Sequence, residues 1–101
     1  MEESIAGFDW DDGNRHKCLQ HGVSVEQIES LFLRPIMILP DQAHSGVETR
    51  FKAVGMTTDG RHIFLVFTIR TRKSERTIRP ISARYMHRKE VEHYEKENPK
   101  L

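Results

Sequence analysis

Half of the chain's sixteen lysines and arginines fall in one stretch, residues 70–89, which reads RTRKSERTIRPISARYMHRK. There Arg70, Arg72, Lys73, Arg76, Arg79, Arg84, Arg88 and Lys89 face the single acid Glu75, a formal +7 that the −6 of the remaining residues hides within an overall +1. A segregated charge of this kind builds an electropositive face, and such a face attracts phosphates. Apolar residues interleave the cations, which fixes them on a structured backbone. Ahead of the stretch stand His21, His44, Glu48 and Arg50. These residue types can cleave RNA without a metal. The reaction needs a base for the ribose 2′-hydroxyl proton, cations for the charge growing on the attacked phosphate, and an acid for the departing 5′-oxygen. His44 or Glu48 suits the base, His44 or His21 the acid, and Arg50, Arg79 and Arg84 the phosphate clamps, since a guanidinium fork holds two phosphate oxygens at once. Arg70, Arg72 and Arg88 extend the same surface as RNA-binding residues. Each assignment has a plain structural counterpart: Glu48 with Arg50 as a surface ion pair, His21 as a helix C-terminal residue, the whole stretch as a solvated strand and helix.

Other chemistries find little support. His16 and His21 are five apart and His87 and His93 six apart, so neither pair has the i, i+4 spacing that puts two imidazoles on one helical face; no metal and no cofactor are expected. Cys18 is the only cysteine, which excludes an intramolecular disulfide and fits a reducing cytoplasm. It falls mid-helix with no oxyanion-hole motif around it, as a buried structural thiol would. No P-loop, dinucleotide fingerprint or nucleophile elbow is present. The start, MEESIAGF, lacks the basic and apolar regions of a signal peptide, and the longest apolar run, 63–67, is far short of a membrane span.

The elements that must position these groups make a small α+β domain, expected as one unit over residues 1–101 with 1–7 as a flexible leader. Phe8-Asp9-Trp10 reads as a short strand or anchor. Asp11 and Asp12 supply an N-cap for a helix to about Gln20, stopped by Gly22; Ser24 and Gln27 form a capping box for a second helix closed by Pro35. A short strand at 36–39 is followed by a polar loop at 41–47. Residues 49–57 alternate, with Phe51 and Ala53 on one face and Arg50, Lys52 and Val54 on the other. Asp59-Gly60 predicts a type I′ hairpin into a strand at 61–71, whose run Ile63-Phe64-Leu65-Val66-Phe67 predicts a central position covered on both faces. A strand at 76–81 follows the turn at 72–75, with Pro80 marking an edge or an end, and Ser82 is expected to cap a C-terminal helix facing the sheet with Met86, Val91 and Tyr94. Three to four antiparallel strands, two N-terminal helices and a C-terminal helix result.

In this order the residues resemble BrnT-type toxins of bacterial type II toxin–antitoxin pairs, a group similar in fold to the RelE ribonucleases. The resemblance spans residues 8–94. It is carried by Phe8-Asp9-Trp10-Asp11, Asn14 with Lys17, His21-Gly22-Val23-Ser24, Phe32, Asp41-x-x-His44-Ser45, Glu48-x-Arg50-Phe51, Gly55, and Ile81-Ser82-Ala83-Arg84 followed by Lys89-Glu90 and Tyr94. It implies a metal-independent endoribonuclease that arrests translation in the cytoplasm, and a ribbon-helix-helix antitoxin, BrnA-like, that neutralises it. Operator DNA would be bound only through the toxin–antitoxin complex. Lys17, His21, His44, Glu48, Arg50, Arg84 and Glu90 are the site candidates carried over. Two positions depart from the pattern: Gln20 stands where a basic residue usually precedes His-Gly-Val, and Pro80 replaces a β-branched residue. The rival expectations are a non-catalytic module that binds RNA or an antitoxin without cleaving, and a small structural protein whose basic face recruits an acidic partner.

Overall fold

The computed structural model describes residues 5–41, 46 and 48–97. Helices α1 (Asp12–Leu19) and α2 (Val25–Leu31) begin at the two expected caps. The Asp11 carboxylate accepts from the Asn14 amide at 2.9 Å while Asn14 Oδ1 accepts from the Asp11 amide at 2.7 Å. Ser24 and Gln27 repeat the reciprocal pair at 3.1 and 3.0 Å. Each box satisfies two otherwise orphaned N–H groups. Gly22 takes a left-handed φ of 83°, which lets the chain leave α1 and enter α2 almost at once. The second helix ends at Leu31 with Phe32 as its C-cap, earlier than the Pro35 stop, and the Phe32 amide bonds Glu29 O at 3.3 Å in a tightened last turn.

Among the described residues the sheet has five strands: β1 (Ile5–Phe8), β2 (Met37–Pro40), β3 (Arg50–Met56), β4 (His62–Arg72) and β5 (Glu75–Tyr85). Their order is β1-β5-β4-β3-β2, and β1 runs parallel to β5 while the other neighbours are antiparallel. The sheet is therefore mixed and wider than expected. Residues 5–7, expected in a flexible leader, belong to its edge strand; four residues with Gly7 among them are too few to show an alternation.

The largest correction lies in β5. Its strand was expected to stop at 81 and hand over to a helix capped by Ser82, yet it continues to Tyr85. The register against β4 slips between Val66 and Phe67, which pair with Ser82 and Pro80, so Ile81 is the extra residue of a bulge. Pro80 also lies past the last β1 pair, Phe8 with Ile78, and its carbonyl is taken by Asn14 Nδ2 at 2.8 Å. A bulge next to a side-chain partner thus accommodates a proline inside a long strand. Helix α3 starts only at Arg88 (Arg88–Glu97), where Glu90 accepts from the His87 amide at 2.8 Å and acts as its capping acid.

The turns also exchange roles. At the β3–β4 connection only Gly60 has positive φ, and its amide bonds Thr57 O at 3.0 Å, a type I turn with a left-handed glycine instead of type I′. The two-residue loop with both φ positive is Lys73-Ser74, at 50° and 69°, between Arg72 and Glu75.

One face of the sheet meets α1 and α2. Ala53, Ile63, Leu65, Phe67, Ile78 and Ala83 pack there against Cys18, Val23, Ile28 and Leu31, all 5 % exposed or less. Burying each large aliphatic side chain contributes about 1.5–3 kcal/mol. Phe32 makes edge contacts with Phe8 and Phe67 at 5.6 and 5.5 Å, joining the end of α2 to the edge strand β1 and to the central strand β4. Gly55 is the point of closest approach: a Cβ there would lie 3.1 Å from Leu31 Cδ2. Cys18 is the buried thiol expected, and desolvation raises its pKa to about 11, far from a reactive thiolate.

Candidate functional site

Strand alternation and register sort the other sheet face into three cross-strand rows. The first holds Arg50, Thr68 and Arg79; the second Leu39, Lys52, Val66 and Ser82; the third Met37, Val54, Phe64 and Arg84. Cationic character fades along the face and apolar character grows. This face was expected to be covered, but α3 covers it only in part and leaves Phe64 and Val66 half-buried beside two clefts.

The smaller cleft, about 280 Å³, is lined by Lys17, Arg50 and Lys52 over a floor of Phe64, Val66, Ile81 and Ser82, with Asp41 beside them. Lys17 reaches it because α1 lies against β5, tied by Asn14 to Pro80, so the last turn of that helix sits at the rim. Asp41 is buried and donates its amide to Arg50 O at 2.8 Å, which pins the start of β3. Three cations over an apolar, low-dielectric floor strengthen the field on any anion that enters.

Arg84 lies at the border with the larger cleft. Its guanidinium bonds both carboxylate oxygens of Glu90 at 2.8 Å and sits 5.1 Å from the centre of the Phe64 ring. Glu90 also receives the His87 amide, and the hydrogen bonds from Arg84 and His87 hold its pKa down to about 2. Arg84 is raised above its ordinary value by the same bond. One carboxylate therefore caps α3 and holds the arginine that points from the sheet.

The other expected residues are dispersed. Arg79 is held by Asp11 at 2.8 Å and lies 3.7 Å from Asp9, with Arg70 3.9 Å from Asp9. Asp11 is lowered first by the Asn14 amide and then by Arg79. This cluster locks the β1–α1 junction to β5. Arg72 is exposed at the far end of β4 beside its partner Glu75 in the hairpin, His21 is exposed between α1 and α2, and Arg88 is 91 % exposed and pairs with Glu92 at 3.3 Å along the helix. Glu48 is half-buried in a bend ahead of β3, not on the strand with Arg50. His44 lies outside the described residues. Lys52 and Ser82 were not among the expected site residues. Lys52 was readable from its shared strand face with Arg50, whereas Ser82 had been given to a helix.

The result is a small α+β scaffold that gathers cations over one half-covered sheet face, a surface whose charge suits a polyanion. The family model described as "Ribonuclease toxin, BrnT, of type II toxin-antitoxin system" matches residues 10–90, and the chain belongs to that family. A ribonuclease toxin of a type II system has an RNA target and an antitoxin partner. No curated protein matches the chain. Among the described residues, no helix is long and apolar enough to cross a membrane.

Proposed function

We propose that this protein is a metal-independent endoribonuclease that works in the cytoplasm as one domain over residues 1–101, cutting RNA and arresting translation until a ribbon-helix-helix antitoxin neutralises it. Operator DNA is bound only through that complex. The observation that carries the proposal is the convergence of Lys17, Arg50 and Lys52 on one cleft whose neighbour is Arg84. Cations there can meet phosphate charge directly, without a metal as intermediary.

In the proposed reaction the scissile phosphate lies between Arg50, Lys52 and Lys17. His44 or Glu48 takes the proton of the 2′-hydroxyl, the 2′-oxygen attacks phosphorus, and the bond from phosphorus to the 5′-oxygen breaks. A histidine, His44 or His21, returns a proton to the 5′-oxygen, giving a 2′,3′-cyclic phosphate and a 5′-hydroxyl. His44 and Glu48 lie in the segment that leads into β3, close in sequence to Arg50. Arg84 serves the transition state by turning from Glu90 to the equatorial phosphate oxygens, one bidentate acceptor exchanged for another. Because Arg84 is already paired, a second reading stands: a toxin homologue that binds RNA or antitoxin without cleaving.

Induced expression of the chain separates the two. Growth arrest that Arg84→Ala abolishes, at equal soluble expression, is the expected result. Toxicity retained in Arg84→Ala removes that arginine from the reaction, and a wild-type chain that leaves growth and RNA untouched favours the binding module.

A further inference from the structure

We propose that the larger cleft beneath α3 is a nucleobase subsite, in which one base of a bound RNA strand stacks on Phe64 while its phosphate lies on the Arg50 and Lys52 rows. This rests on the RNA-binding function proposed above and names what part of the nucleotide the second cleft receives.

The cleft has a volume of about 790 Å³, within the ~300–1,000 Å³ range of small-molecule pockets, and its sheet side is Met37, Leu39, Val54 and Phe64 with Arg84 at the border. Phe64 lines both clefts, so the cationic and apolar sites share one aromatic ring. Along β3, Lys52 and Val54 are two residues apart on the same face, a step of roughly 6.8 Å. A nucleotide has the same two-part character over a similar length: a flat apolar ring joined through a sugar to an anion. Stacking on an aromatic side chain is how single-stranded nucleic acid is commonly gripped, and the neighbouring Arg84 lies over the same ring.

The roof of the cleft is not packed down. No residue of α3 is buried, and Tyr94 touches the sheet side through an edge contact with His62 at 5.8 Å. Glu90 and His93 on that roof can accept and donate hydrogen bonds to the edge of a base, the polar component that an apolar protein-docking groove does not require. The cations at the open end favour an RNA strand over an uncharged peptide as the occupant.

The test is an amide NMR titration of the isotopically labelled full chain with adenosine 3′-monophosphate, and with ribose 5-phosphate as the probe lacking a base. The nucleotide is expected to shift Val54, Phe64 and Tyr94, whereas ribose 5-phosphate shifts only residues around Arg50 and Lys52. Tyr94→Ala, which lies outside the cationic cleft, should weaken nucleotide binding about tenfold and leave ribose 5-phosphate unchanged, and Phe64→Leu should weaken the nucleotide more than ribose 5-phosphate. Identical footprints for the two probes would overturn the subsite, as would cleft shifts produced by the antitoxin and by neither small probe. Because the readout is binding, a chain that seats the nucleotide under α3 yet leaves RNA intact keeps the subsite and loses the nuclease.

Discussion

Leu65 and Phe64 are neighbours on β4 with opposite fates. Leu65 is fully buried with Ile63 and Phe67 against α1 and α2, while Phe64 and Val66 alternate with them and stay half-buried under a helix that buries nothing of its own. Charge is also treated differently along the cleft face itself. At the β1–α1 junction Arg79 is matched by Asp11 and Asp9, an arrangement that ties elements together. At the smaller cleft Lys17, Arg50 and Lys52 converge over a largely apolar floor, with Asp41 beside them. A fold of this size needs one closed face for stability, and the incompletely closed face is where a substrate can be received.

Substitutions that treat the two faces alike should break this contrast if it is mistaken. Leu65→Ala should destabilise the fold by about 2–5 kcal/mol, measured by denaturant unfolding, through lost burial and the cavity left behind. Lys52→Ala should leave the unfolding midpoint nearly unchanged and lower RNA cleavage on the order of 10²-fold, the cost of removing one donor to transition-state charge. Arg79→Ala should do the reverse on a smaller scale: a fall in Tm of a few degrees at most, with cleavage changed little. The gentlest probe is acid. Glu90 is depressed from an ordinary 4.5 to about 2, so its contribution is complete above the ordinary value and is lost as pH falls through the depressed one. Protection factors of the α3 amides, referenced to the intrinsic exchange rate at each pH, should therefore fall as pH drops between those two values, and Glu90→Gln should remove that dependence while the core amides stay protected.

The sequence carried the two N-terminal helices and the closed face well, because their signals are local. Asp11 with Asn14 and Ser24 with Gln27 are caps readable over four residues, and the alternation of Arg50, Lys52 and Val54 against Phe51 and Ala53 survives in the pairing. What it did not show was non-local. Ile5–Phe8 finds its place only through parallel pairing with β5, and Ile81 becomes a bulge only because β4 and Asn14 hold either side of Pro80. Pro80 and Ser82 together imitate a strand end and a helix cap, so Arg84 was placed on a helix when it belongs to the strand. The family resemblance supplied Lys17 and Glu90, whose meeting with the sheet face depends on where α1 and α3 dock. The segregated cations of 70–89 proved to serve two purposes, with Arg79 closing the fold and Arg84 bordering the cleft.

The most direct measurement is the chemistry of the cut ends. Purified protein incubated with a defined RNA in EDTA should yield fragments ending in 2′,3′-cyclic phosphate and beginning with 5′-hydroxyl, and substitution of 2′-deoxyribose at the cleaved position should block the cut. Cleavage that persists at the deoxy position, or that leaves 5′-phosphates, would contradict attack by the 2′-hydroxyl on a phosphate held by Lys17, Arg50 and Lys52.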